Sequence, residues 1–251
     1  MEVRKVGTGQ GWQWIKNGYS LFRKNPPIWI TLFVIYFLIV IVLSVIPVVG
    51  PLVMTLLAPV FTAGFMLACR DVEQGGELEL GHLFAGFRHN AGQLITVGGL
   101  YLVGSIIILG LMMMGGGGAM MGSASLGQTQ GAEPNEAMVR AMGGMLTGLL
   151  AASALLIPLL MAYWFAPALV VLRNLTAIEA MKLSFVGCLR NIWPFLVYGV
   201  IAFVLMMLAM IPFGLGMLVL APVLNASIYL GYKDIFPAEV EPEVELPTLP
   251  A

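Results

Sequence analysis

Between Ile28 and Ile46 the chain runs nineteen residues without a charged side chain. A helix needs about 20 mainly apolar residues to cross roughly 30 Å of hydrocarbon, and a run of this length has few other uses. Five further uncharged runs follow, at 52–69, 92–113, 145–172, 192–211 and 213–232. Of the 251 residues, 59% are hydrophobic and 10% charged, against about 25% charged in an ordinary soluble domain. These features predict an all-α, polytopic membrane helix bundle with six transmembrane helices. Residues 1–27 are too polar for a signal peptide, so the first run is expected to stay as a span. The net charge of −1 offers no basic field for nucleic acid.

Punctuation between the runs sets the threading. "PVVGP" at 47–51 and "IPFG" at 211–214 are tight reversals. The third and fourth runs are separated by a polar, glycine-rich insertion, 114–144. Pro59, Pro158, Pro167 and Pro222 interrupt helices, which a bundle tolerates when neighbours satisfy the freed carbonyls. In a six-span threading Arg4, Lys5, Lys16, Arg23, Lys24, Arg70, Arg88, Arg173, Lys182, Arg190 and Lys233 share one side, and Arg140 alone takes the other. The positive-inside rule then places both termini in the cytoplasm and 114–144 opposite. The expected location is the bacterial inner (cytoplasmic) membrane. Cys69 and Cys188 are expected reduced and unpaired on the cytoplasmic side.

A junction recurs three times: "YSLFRKNPPIW", "FAGFRHNAGQL" and "FVGCLRNIWPF". Aligned on Asn25, Asn90 and Asn191, the residues three before are Phe22, Phe87 and Cys188; six before, Tyr19, Phe84 and Phe185; ten before, Ile15, Leu80 and Met181. Offsets of 3, 6 and 10 form one helical stripe. Trp12 and Ile178 extend it in the first and third copies, and Lys16, Arg23, Glu179 and Lys182 lie opposite. Each junction therefore predicts an interfacial amphipathic helix ahead of a transmembrane hairpin. The exits also match: Pro59 to Arg70 and Pro222 to Lys233 are both eleven residues, followed by Asp71 and Asp234, while Pro167 lies six before Arg173. Three parallel repeats, 10–75, 78–175 and 176–236, would follow from duplication. The competing reading is that basic and aromatic residues gather at any cytoplasmic boundary.

"GWQWIKNGYSLFRKNP", "PLLMAYWFAPALV" and "YLGYKDIF" resemble an uncharacterised family of bacterial six-helix inner-membrane proteins. That family is similar, more loosely, to the membrane domain attached to some glycerophosphodiester phosphodiesterases. The resemblance covers nearly the whole chain except 114–144 and the acidic tail. It implies a membrane location and supplies no catalytic residue, no cofactor and no assigned activity.

Chemistry is sparse. No ionisable residue lies mid-span, where one would mark a functional site. His82 and His89 are seven apart with no Cys nearby, a poor metal pair. Asn225, three after Pro222 with Ser227 close by, is the candidate intramembrane polar contact; an interhelical hydrogen bond is the plain reading and a substrate contact the sharper one. Eight of the 17 methionines fall between Met112 and Met145. Met112, Met113, Met114, Met120 and Met121 are soft donors of the type that suits Cu(I), although methionine is equally an adaptable filler. The tail 237–251, acidic and proline-rich, is expected to be disordered and could carry a protein-partner peptide. Arg23, Lys24, Arg88 and Arg190 are candidate lipid-headgroup contacts. The expected function is a non-enzymatic lipid-interacting, membrane-organising or accessory module, with membrane lipids as partners and no cofactor. The alternative is a small transporter or channel for an apolar or lipid-like solute.

Overall fold

The computed structural model describes residues 3–113 and 134–237. Among them every regular element is helical. The Met-rich stretch from Met114 to Met121 and the tail beyond Pro237 lie outside the described residues.

The chain opens with α1 (Gln10–Phe22), followed by α2 (Pro26–Ser44) and α3 (Val49–Glu73). Pro26 and Pro27 start α2, where a missing N–H costs nothing. The α2–α3 turn passes Val48 at φ 65. It closes on Gly50, whose place a side chain could not take because the Leu43 carbonyl already occupies that space. A 3-10 turn, Leu80–Phe84, runs into α4 (Ala85–Arg88), and α5 (Ala91–Met112) follows. After the undescribed segment come α6 (Pro134–Trp164), α7 (Ala166–Arg173), α8 (Ala177–Arg190), α9 (Ile192–Met210) and α10 (Met217–Ile235).

Five segments are long and apolar enough to cross a membrane: Pro26–Ser44, Val49–Glu73, Ala91–Met112, Met142–Arg173 and Ile192–Met210. The sixth expected run is not among them. Its first residues, 213–216, form the turn before α10, and α10 then carries Asn225, Ser227, Lys233 and Asp234 within 19 residues. The fourth run begins earlier than expected, at Pro134, and breaks between Trp164 and Ala166. The second interfacial element is not one helix. Gly75, at φ 86, and an irregular stretch to Glu79 leave only residues 80–88 for it, as a 3-10 turn plus one α turn.

The core lies at one end of the bundle. It is built from the portions of α3 and α10 that follow Pro59 and Pro222, and from α7. Val60, Met66, Cys69, Leu169, Val170 and Ala226 are all fully buried. At the opposite end, where the helices of a hairpin meet at their turns, apolar surface is exposed: Val42 at 65%, Val45 at 75% and Ile211 at 74%. For a membrane helix this is the surface that meets lipid. Pro59 and Pro222 thus mark where α3 and α10 pass from the more exposed half into the packed one.

The packing order is cyclic. The α8 segment packs on α5, α6 and α7, the helices before it. The 3-10 turn and α4 pack on α3, with the 3-10 turn also touching α2. α1 packs on α9 and most extensively on α10. Each short element therefore sits against the preceding hairpin rather than its own, and α1 closes the circle by taking the last hairpin.

Candidate functional site

The site of interest is the rim formed by α1, the 3-10 turn with α4, and α8 at the packed end, where most of the basic residues gather. Its geometry follows from close backbone approach. Gly18 lies seven before Asn25, and a Cβ there would fall 2.7 Å from the Val223 carbonyl and 2.9 Å from the Ser227 amide. Ser184 lies seven before Asn191. Its hydroxyl accepts from the Phe165 amide at 2.9 Å and donates to the Met161 carbonyl at 2.7 Å. Those two backbone groups would otherwise bond each other, four residues apart. Ser184 is thus inserted into the helical ladder and accommodates the α6–α7 break ahead of Pro167. Gly86, four before Asn90, approaches the Val60 carbonyl too closely to admit a side chain. The residue pairs 223/227 and 161/165, and Val60, all lie close to a helix-interrupting proline.

The buried face of α1 is Gly11, Trp14, Ile15, Gly18, Leu21 and Phe22. The stripe expected at offsets 3, 6 and 10 straddles its edge. Ile15, Phe22 and Cys188 are buried, but Tyr19, Leu80, Phe84 and Phe87 are exposed by 41–49%. Trp12 and Ile178 are exposed as well. The buried face is centred instead on positions 4, 7 and 11 before the asparagine, where α8 places Gly187, Ser184 and Ala180. The signal was present as small residues at helical spacing, which permit close approach.

Polar contacts at the rim act as latches. Asp234 accepts from Trp14 Nε1 at 2.7 Å and from Gln10 Nε2 at 3.2 Å. Asp71, at the matching position of α3, pairs with His82 Nε2 at 3.1 Å and Arg70 Nε at 3.1 Å. Both acidic residues therefore hold the short element that follows in the cycle. Glu73 accepts from Tyr229 Oη at 2.8 Å and Lys233 Nζ at 2.6 Å, joining α3 to α10. Arg173 donates to Tyr232 Oη and to the carbonyls of Phe236 and Pro237. The three junction asparagines all stand just before a long helix, yet only Asn191 is buried. It accepts from the Val6 amide at 2.8 Å and donates to the carbonyls of Arg4 and Gly187. Asn90 donates to Asn174 Oδ1 at 2.9 Å. The role of Asn191 as an anchor for the N-terminal segment had no signal beyond the repeat itself.

The four candidate headgroup residues divide. Arg23 and Arg88 are exposed, with Arg23 lying 6.0 Å from the Tyr19 ring centre. Lys24 donates to the Val72 carbonyl at 2.9 Å, and Arg190 to the Val3 carbonyl at 3.3 Å. The interhelical hydrogen bond expected near Pro222 is made by Ser227, which pairs with Tyr198 Oη at 2.9 Å. Asn225 Oδ1 is buried and has no partner among the described residues, as is Trp29 Nε1 on α2. Cys69 and Cys188 are both free and buried. Burial pushes the Cys188 thiol up to about 12. Hydrogen bonds from the Thr176 hydroxyl and amide hold the Glu179 carboxyl below its usual range, closing a capping box on α8. His82 faces Asp71, and His89 bonds only its own helix through the Ala85 carbonyl. Among the described residues no group of three or more His, Cys, Asp or Glu side chains could hold a metal.

A family model described as a domain of unknown function (DUF7847) matches residues 12–251. The chain belongs to the DUF7847 family. The match includes both 114–144 and the acidic tail, which the resemblance read from motifs had left out. A protein of Burkholderia thailandensis, named a "probable inner membrane protein", is 34% identical over 239 residues, covering 91% of this chain and 84% of its own. No solved structure matches. The looser likeness to a phosphodiesterase membrane domain has no counterpart in these matches. With its five span-length apolar helices, this DUF7847 member is an integral membrane protein.

Proposed function

We propose that the protein is a non-enzymatic, lipid-interacting module of the bacterial inner membrane, organising lipid around itself or serving as an accessory subunit. One observation carries the reading. The short elements at the rim expose aromatic and aliphatic side chains, Trp12, Tyr19, Phe84, Phe87 and Ile178 among them, beside the exposed bases Lys16, Arg23, Arg88 and Lys182. Amphipathic aromatic rings favour the headgroup level, and bases on long stems reach phosphate. Asp71, Glu73 and Asp234 are engaged in latches, which suits a scaffold better than acid–base chemistry.

Within this reading the threading has six spans, α10 included, with both termini cytoplasmic and three parallel units of duplicated origin. The cyclic packing and the bias of bases toward the packed end support it. The acidic tail would offer a protein partner a peptide. The test is the purified full chain in nanodiscs of neutral lipid and of neutral lipid containing anionic phosphatidylglycerol. Greater thermal stability with the anionic lipid, lost when Arg23, Arg88 and Lys182 are all changed to Glu, is expected. Equal stability in both would overturn the reading. Labelling a cysteine at position 130 from the side opposite both termini tests the threading.

A second reading, a carrier for an apolar or lipid-like solute, is favoured by one feature. Trp29 Nε1 and Asn225 Oδ1, a donor and an acceptor both buried and unpartnered among the described residues, sit on α2 and α10, which pack together. A solute that co-purifies with the parent and is lost in Asn225→Leu would support it.

A further inference from the structure

We infer that the third hairpin holds an anionic phospholipid at one defined site, with an acyl chain between α9 and α10 and its phosphate at Lys16. The inference rests on the lipid-interacting reading above and gives it a place and a lipid class.

A groove of about 460 Å³ runs between the last hairpin and α1. Its size lies in the range of small-molecule and cofactor sites, about 300–1,000 Å³. The geometry follows from the helices. α9 and α10 meet at the turn, where Gly216 lies so close to Ala209 that an added Cβ would fall 2.6 Å from its Cα. Beyond that pinch Leu208 of α9 and Val219 of α10 both line the groove. α1 lies across the opening, held by Gly18 against α10 and by Trp14 on Asp234. It lines the groove with Trp12, Lys16 and Tyr19.

The chemistry of the lining selects the occupant. The walls supplied by α9 and α10 are wholly apolar, and Leu208 and Val219 are exposed by 54% and 39% on the flank of a membrane hairpin. The groove is therefore open to acyl chains rather than to water. Lys16 is the lone charged residue in the lining, exposed and flanked by two aromatic side chains of the kind that settle at headgroup depth. A cation above an apolar slot complements a phosphate above a hydrocarbon chain. A zwitterionic lipid also brings a phosphate, but its own ammonium offsets that charge, so a net-anionic lipid is the stronger counter-charge for Lys16. An extended peptide would leave backbone amides unpaired against apolar walls.

The test uses the full chain in nanodiscs of neutral phosphatidylcholine doped with phosphatidylglycerol or phosphatidylcholine bearing a photoactivatable acyl chain. Crosslinked residues are located by mass spectrometry. Labelling at Leu208 and Val219 is expected to favour the phosphatidylglycerol probe by about fivefold, the effect of one base beside an anionic lipid. Labelling at Val42 and Ile106, on other exposed faces, should show no preference. Lys16→Gln should abolish the preference at the groove, and Lys182→Gln should leave it intact. A Leu208→Trp variant, filling the slot without touching Lys16, should lower groove labelling by both probes. Equal labelling by both probes at the groove would overturn the site. If phosphatidylglycerol still stabilises the protein in that case, the general lipid reading stands and only the site fails. If it does not, both fail together.

Discussion

Trp14 in the first helix donates its indole N–H to Asp234 in the last, across 2.7 Å of space and 220 residues of sequence. The bond closes the cycle of hairpins, because α1 has no comparable contact with the helices that directly follow it. The indole ring also packs on Gly231, where a Cβ would lie 3.4 Å away. Trp14→Phe keeps most of that packing and removes the donor. A hydrogen bond to a charged group contributes about 1.5–3 kcal/mol, so unfolding in detergent should shift by about that amount. The double variant Trp14→Phe, Asp234→Asn should lose little more than Trp14→Phe alone. Additive losses would show that the two residues are not coupled.

Ser184 offers a sharper test of the helix break. Ser184→Ala leaves the Phe165 amide without a partner unless the ladder closes, while the Met161 carbonyl keeps only the Cys188 thiol at 3.5 Å. Leaving buried polar groups unpaired costs about 1–3 kcal/mol. The measurement is the thermal midpoint, with Ser184→Thr, which retains the hydroxyl, as comparison. An unchanged midpoint in Ser184→Ala would mean that the α6–α7 segment straightens freely.

Gly18 and Gly199 should behave as opposites. A side chain at Gly18 meets the backbone of α10, whereas nothing lies within 4 Å of a Cβ at Gly199. Gly18→Leu should force α1 away from α10 and yield aggregated protein on size-exclusion chromatography. Gly199→Ala should be neutral or more stable by up to about 1 kcal/mol, from helix propensity. A monodisperse, stable Gly18→Leu protein would show that the contact is dispensable.

Glu179 gives a pH dependence with a defined sign. Its carboxyl is held below the ordinary value of 4.5, first by the Thr176 hydroxyl and then by the Thr176 amide. The cap is therefore intact above the unfolded-state value and is lost as acid protonates the folded carboxylate. Thermal midpoints taken from about pH 6 down to about pH 3 should fall less steeply in Glu179→Gln than in the parent. Parallel curves would remove the capping box from the account.

The long apolar runs were legible because hydrocarbon permits few alternatives: a chain that crosses it must satisfy its own backbone, and a helix does so locally. The places of α2, α3, α5 and α9 follow from that local rule. The aligned prolines and the asparagine junctions were also visible, since each marks a break in a periodic pattern. Tertiary structure decided what local periodicity could not register. Whether Tyr19 or Gly18 faces inward depends on which neighbour α1 meets, and that neighbour lies at the far end of the chain. The α6–α7 break depends on Ser184 from a later helix, and the burial of Asn191, but not Asn90, depends on the N-terminal segment that reaches it. A lipid-facing position and a packed position can carry equally apolar side chains, so hydrophobicity assigned residues to the membrane. Only the backbone approach made possible at Gly18, Gly86 and Ser184 assigned them to one another.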